Sequence, residues 1–327
     1  MKSKLWAMVL LLMLGGLTGC GGNGGQNGHL QQVTFLLDWF PNVNHTGVYV
    51  AQEMGYYAEE GLSVSIMQAG DGSTAQLLAA GQGDFGISYQ EDLSYARSQD
   101  VPAVAIAAVI QHNTSGFAAP PDRNIKSPAD YAGKVYGGWG SPAESAILQN
   151  LMEAHGADFS KLTIVNIGSA DFFSAIESGA IDFSWIFEGV TGVEARLRGM
   201  ELDYTPLREE NPAFDYYTPI IICSESMLNE QPERVRAFLK ATARGYAYCI
   251  AAPEAAADIL LQAAPELDAA LVKEGQAYMA GQYQADAEAW GIMQQSTWQA
   301  YADFMLENGL LQAPIDVTQA FTNDYLP

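Results

Sequence analysis

TAQLLAAGQGDFGI at residues 74–87 and FFSAIESGAIDFSW at residues 172–185 decide the fold of this chain. In each, apolar residues at helical spacing run to a glycine, Gly81 or Gly179. An Asp-Phe pair follows, Asp84-Phe85 or Asp182-Phe183, and a short apolar strand begins. A helix-to-strand unit that recurs this far along a chain predicts two lobes of similar architecture.

Working outward from the first copy, residues 32–37, 63–68 and 84–88 have strand character, and residues 47–57 and 73–80 have helical character. That alternation predicts an α/β protein with largely parallel sheets. Strand 103–110 closes the first group. A second group opens near Gly116 and runs through strands 136–139, 163–167 and 183–187. Pro206, Pro212 and Pro219 then interrupt the chain, which suggests a return crossing, and the remainder is helical with Pro-Glu starts at Pro232, Pro253 and Pro265. Residues 32–115 with 218–327 are expected to form one discontinuous lobe and residues 116–217 the other. Such a clam hinges at its two crossings, near Ser115 and Tyr217, and takes its ligand in the cleft.

Composition narrows the function. The chain has 327 residues, 49% of them apolar, so it can bury a sizeable core. Its 38 acidic against 15 basic residues give a net charge of -23, which repels phosphate backbones and acidic lipids and excludes nucleic acid as a partner class. Residues 1–19 combine Lys2 and Lys4, an apolar run from Leu5 to Leu14, and the ending Leu17-Thr18-Gly19 before Cys20, the pattern of an export leader. The run is too short for a membrane span. The Leu-Thr-Gly-Cys ending resembles a bacterial lipoprotein box, which implies cleavage before Cys20 and lipidation of its thiol. Residues 20–31 would then be a flexible tether and the body an extracytoplasmic, membrane-anchored monomer. Cys223 and Cys249 lie in apolar segments and are expected to be separate buried thiols.

Familiar catalytic patterns are missing. Gly81-Gln82-Gly83-Asp84-Phe85-Gly86 has dinucleotide-loop spacing, but here a helix precedes and a strand follows, the reverse of what a pyrophosphate needs. No Cys/His spacing suggests zinc, and neither metal, cofactor nor catalytic residues are expected. His45 and His112 fall near the expected cleft and read as structural hydrogen-bonding residues.

The informative pattern is aromatic rings beside carboxylates at strand ends: Asp38-Trp39, Tyr89-Gln90-Glu91, Trp139, Trp185 with Glu188, and Asp215-Tyr216-Tyr217. Ligands of open α/β sheets bind beyond the carboxyl ends of the strands, so these groups are placed to converge from both lobes. Ring faces with carboxylate edges suit a flat, nitrogen-rich heterocycle: stacking contributes about 1 to 3 kcal/mol, and a charged hydrogen bond about 1.5 to 3 kcal/mol. A helix opening at Ser141 offers backbone N–H groups to one polar substituent.

At LDWFPNVNHTG, residues 37–47, the chain resembles the substrate-binding lipoproteins of thiamine-precursor ABC importers, as it does at residues 84–91, 111–117, 136–140 and 215–219. The resemblance covers nearly all of residues 32–327. It implies a two-lobed, type-two periplasmic-binding-protein fold, a formylaminopyrimidine-type ligand, and importer membrane subunits as partners. It adds Asn44, Asn113 and Gly140 to the expected ligand-binding set of Asp38, Trp39, Tyr89, Glu91, Trp139, Ser141, Trp185, Glu188, Tyr216 and Tyr217. The same superfamily includes thiamine-pyrimidine synthases that consume their own histidine and a lysine-bound pyridoxal phosphate. Where those enzymes place the lysine and histidine, this chain has Ser88 and Asp92, which counts against an enzyme. A carrier of sulfonate or nitrate is a further alternative, disfavoured by the shortage of arginine at the strand ends.

Overall fold

The computed structural model describes residues 30–68, 72–168 and 171–327; the leader, Cys20 and residues 20–29 of the tether lie outside them. The first sheet contains β1 (Gln31–Leu37), β2 (Leu62–Gln68), β3 (Phe85–Ser88), β4 (Ala103–Ala108) and β10 (Ile220–Ser224), in the order β2-β1-β3-β10-β4. The second contains β5 (Ser115–Ala119), β6 (Val135–Gly138), β7 (Thr163–Asn166), β8 (Phe183–Phe187) and β9 (Asp203–Pro206), in the order β7-β6-β8-β5-β9.

These orders are one topology used twice. β1 is parallel to β2 and β3, as β6 is to β7 and β8. β10 and β5 are each the first strand after a crossing, and each inserts antiparallel between two strands of its sheet. The repeated Asp-Phe pair sits at the same place in both. Asp84 accepts from the Thr34 N–H at 2.7 Å and Asp182 from the Val135 N–H at 2.8 Å. Phe85 pairs with Phe35 and Phe183 with Tyr136 in the two central registers. The carboxylate thus satisfies a backbone donor at a strand entrance, and the next side chain enters the core.

Each sheet packs its own aromatic core. In the first lobe Phe238, from helix Pro232–Ala251, stacks on Phe85 with centroids 4.1 Å apart and also on Tyr57 and Phe35. In the second, Phe117 meets Tyr131, Tyr136, Phe183 and Trp185 edge-on. Fully burying a ring of this kind contributes about 1.5 to 3 kcal/mol. Cys223 and Cys249 are free buried thiols in the first core, both pushed well up by burial. Helix Gln295–Glu307 serves both lobes: Trp298 and Ala302 pack with Ile220 and Ile222, whereas Tyr301, Phe304 and Met305 pack with Phe117 and Tyr136.

Two sequence expectations need correction. The helix expected over 47–57 is two helices, Thr46–Glu53 and Tyr56–Glu59, separated at Gly55, which adopts a left-handed conformation. No helix starts at Pro265. Helix Ala269–Ala280 starts later because the Asp268 carboxylate accepts from the Leu271 N–H at 2.9 Å, a stronger start signal than the proline.

Two connections join the lobes, residues 109–114 and 207–219, and they are bonded to each other. Asp215 accepts from the Asn113 N–H at 2.9 Å and bonds His112 Nδ1 at 2.7 Å, while His112 Nε2 reaches Asp286 at 2.9 Å. Burial would lower the His112 pKa, but the two carboxylates raise it above its ordinary 6.5.

Candidate functional site

The carboxyl ends of both central strand sets face the cleft, and three carboxyl groups organise what stands there. On the first lobe, Asp38 follows β1 and bonds His45 Nε2 at 2.7 Å, with its other oxygen accepting from the Tyr89 hydroxyl. Asn42 opens a 3-10 turn over Val43–His45, its side chain accepting from the Asn44 N–H at 2.9 Å. The Asn42 N–H in turn donates to His45 Nδ1 at 3.3 Å, which leaves the ring proton on Nε2 to donate to Asp38. Burial would raise the Asp38 pKa, but the hydrogen bond and attraction of His45, with the Tyr89 bond, hold it below its ordinary value. Tyr89 is pushed well up by burial and by Asp38 beside it, so it remains a hydroxyl donor. Next to this fixed carboxylate Trp39 stands 53% exposed, its ring edge-on to Phe40. Asn44 holds its loop through its carbonyl, which accepts from Tyr246 at 2.7 Å.

On the second lobe, Glu144 lies in the first turn of helix Pro142–Ala154, 2% exposed. It accepts from the Tyr136 hydroxyl at 2.5 Å, the Ser141 N–H at 2.8 Å and the Trp139 N–H at 3.2 Å. Ser141 completes a capping box, its hydroxyl accepting from the Ala143 N–H at 3.2 Å. Gly140, at φ +87°, turns the chain from β6 into this cap. Gly138 has to be glycine for a different reason, because a Cβ there would sit 2.2 Å from a Glu144 oxygen. The turn presents Trp139, 42% exposed, against buried Trp185, with ring centroids 5.2 Å apart. The Trp185 indole N–H has no hydrogen-bond partner among the described residues.

The third carboxyl stands at the junction. Glu91, in the first turn of helix Gln90–Ser98, accepts through one oxygen from both Tyr216 and Tyr301, each at 3.2 Å. The two tyrosine rings stack 4.1 Å apart. Burial and the neighbouring charges of Asp92 and Glu144 push Glu91 up to about 7 against the pull of the two hydroxyls. Because Glu91 feels Glu144, and Tyr89 feels Glu91, the three groups form one electrostatic neighbourhood spanning both lobes.

The structure therefore draws together Asp38, Tyr89, Glu91 and Tyr216, with Trp139, Ser141 and Trp185 on the opposite side. It places three expected residues differently. Asn113 is fully buried, its amide spent on the Phe214 carbonyl and on the Ser115 N–H and hydroxyl, so it clamps the crossings. Tyr217 is buried and accepts from the Gln294 N–H at 2.9 Å. Glu188 opens a π-helical turn over Glu188–Gly192 and is paired with Arg196. Tyr301, Tyr136 and Glu144 go beyond the expected set. Glu144 was legible as the fourth residue of a Ser-Pro-x-Glu cap; Tyr301, 210 positions from Glu91, carries no local signal.

Among the described residues no group of three or more His, Cys, Asp or Glu is arranged to hold a metal ion, and no helix is long and apolar enough to cross a membrane. A surface cavity lined by Gln31, Leu62, Glu233 and Arg234 opens at the amino ends of β1 and β2, away from this chemistry.

Two lobes of matching topology, joined by paired crossings and lined at their strand ends, define a type-two periplasmic-binding-protein fold with a ligand cleft between the lobes. The alkanesulfonate-binding protein SsuA from Xanthomonas axonopodis, solved bound to MOPS, superposes with a TM-score of 0.68 at 14% identity, covering 89% of this chain and 98% of that one. The chain belongs to the NMT1/THI5-like family, whose model matches residues 42–256. It is 28% identical to the formylaminopyrimidine-binding protein of Halalkalibacterium halodurans over 99% of both chains. It is 29% identical to the riboflavin-binding protein RibY of Chloroflexus aurantiacus, over 91% of this chain and 87% of that one. It is 27% identical to the 4-amino-5-hydroxymethyl-2-methylpyrimidine phosphate synthase of Legionella pneumophila, over 90% of this chain and 92% of that one.

Proposed function

We propose that this protein is an extracytoplasmic solute-binding lipoprotein, anchored through Cys20, that captures a formylaminopyrimidine-type thiamine precursor and delivers it to an ABC importer. The observation that carries the ligand class is the convergence of three carboxyl groups, several tyrosine hydroxyls and exposed indole faces at the strand ends, with no arginine among the described residues hydrogen-bonded to Asp38, Glu91 or Glu144. Such a lining accepts from exocyclic amines and stacks on rings, and it repels sulfonate or nitrate. The full-length relative that binds a formylaminopyrimidine supports the same ligand. The leader and anchor rest on the sequence of residues 1–20 alone.

The ligand bridges the two walls, and the lobes close by rotation at residues 109–114 and 207–219. Calorimetry should show formylaminopyrimidine binding far more tightly than taurine, nitrate or riboflavin. Tighter binding of either anion overturns the ligand class, and tighter binding of riboflavin moves it to flavins. Small-angle scattering should show a smaller radius of gyration at saturating formylaminopyrimidine than for the open, empty protein.

The synthase alternative finds little support at the positions it needs. Ser88 ends β3 and is 2% exposed, and Asp92 lies on the exposed side of the next helix, so neither offers a lysine amine or an imidazole.

A further inference from the structure

We infer that Glu91 serves the cleft as a neutral carboxylic acid, donating its proton in a hydrogen bond to an aromatic ring nitrogen of the bound heterocycle. It thereby selects ligands that carry an unprotonated nitrogen of that kind. The inference rests on the functional reading above and adds the protonation state and role of one side chain.

Geometry is the first argument. Asp38 and Glu144 each have hydrogen-bond partners on both oxygens. Glu91 does not: Tyr216 and Tyr301, their rings stacked, both donate to the same oxygen, Oε2, each at 3.2 Å. Its Oε1 has no hydrogen-bond partner among the described residues, which suits the O–H of an acid whose acceptor is the ligand.

The surroundings are the second argument. Asp92 on the same helix and Glu144 from the opposite lobe both add negative charge, while Tyr89, Tyr216 and Tyr301 are neutral hydroxyls. Among the described residues no lysine, arginine or histidine forms an ion pair with Glu91, whereas Glu188 has Arg196. Ionising Glu91 in this setting adds a charge with no counter-ion and weak hydrogen bonds, and its proton is held to about pH 7.

With both lone pairs of Oε2 taken by the Tyr216 and Tyr301 hydroxyls, the acid offers the ligand one donor, the Oε1 hydroxyl, and an unprotonated ring nitrogen is its acceptor. The pair forms without net charge and without proton transfer to the ligand. A ligand protonated at that nitrogen meets the acid donor to donor.

The test is calorimetric titration of formylaminopyrimidine into the full chain from pH 6 to 9, in two buffers of different ionisation heat. Affinity should be level near pH 6 and fall about tenfold per pH unit well above 7, with close to one proton taken up per ligand at the alkaline end. Glu91→Gln keeps a donor and an acceptor, so it should bind within a few-fold of the parent at pH 6 and lose the alkaline fall. Affinity that rises with pH, absence of proton uptake, or a Glu91→Gln protein that folds but cannot bind overturns the inference. Failure of formylaminopyrimidine to bind at any pH overturns the functional reading instead. In that case the infrared carboxyl band of the ligand-free protein decides the protonation state. A band that titrates near pH 7 and is missing in Glu91→Gln supports the neutral acid, and its absence from the parent protein overturns it.

Discussion

Glu144 and Glu91 each stand in the first turn of a helix that follows a sheet strand, β6 in one lobe and β3 in the other, and the protein treats them in opposite ways. Glu144 is sealed at 2% exposure with three donors at 2.5, 2.8 and 3.2 Å, and it holds together the turn that presents Trp139. Glu91 has two donors, both at 3.2 Å, and they come from the second crossing and the long C-terminal helix. One carboxyl builds a wall and the other ties a crossing and a C-terminal helix to the first lobe. A place in the first turn of a helix does not assign a carboxyl its role; the number and origin of its donors do.

The comparison breaks most visibly if the second wall is not structural. Trp185→Ala removes a buried ring from the Phe117 cluster and should cost about 3 to 5 kcal/mol in urea unfolding. A loss under 1 kcal/mol would show a wall that repacks. Glu144→Ala leaves the Tyr136 hydroxyl and two backbone N–H groups without their acceptor and should cost about 2 to 4 kcal/mol.

The opposite sign is expected at Glu91. Its carboxyl titrates at about 7 in the folded protein and at 4.5 when unperturbed, so the folded state holds the proton more tightly. Stability from this group is fully present below 4.5 and is lost as pH rises through 7. Glu91→Gln should therefore stabilise the protein by about 1 to 3 kcal/mol at pH 8 and have little effect at pH 4, as read from melting curves at both pH values. Equal effects at the two would refute the assignment.

Smaller effects sharpen the contrast. Trp39→Ala should change stability by no more than about 0.5 kcal/mol, because the ring is exposed, and weaken ligand binding by about 1 to 3 kcal/mol. A drop in melting temperature with affinity intact would make Trp39 a packing residue. His112 has a raised folded pKa, so its contribution is present below 6.5 and lost as pH rises through the folded value. With a third of the side chain exposed, that contribution should stay under about 1 kcal/mol. His112→Gln should lower stability at pH 5.5 and converge with the parent at pH 9.

Much of this was written locally. The recurring Asp-Phe pair announces two similar lobes because one carboxylate-to-backbone bond and one core ring are all the motif has to specify. The Ser141 cap and the aromatic-carboxylate clusters were legible in the same way, since each needs only neighbours within a turn. Long-range competition for the same polar atoms hid the rest. Asn113 looks like a ligand group until Phe214 and Ser115 take its hydrogen bonds, and the pairing of Glu188 with Arg196 has no local signal in the sequence.

The sequence by itself determined the helix-strand rhythm, the two crossings and the acidic, arginine-poor character of the strand ends, because these follow from periodicity, proline and composition. Only the tertiary structure decided which carboxyl is saturated and which is not. Burial and donor count belong to surfaces that meet in space, and Tyr301 reaches Glu91 only because helix Gln295–Glu307 lies across both lobes.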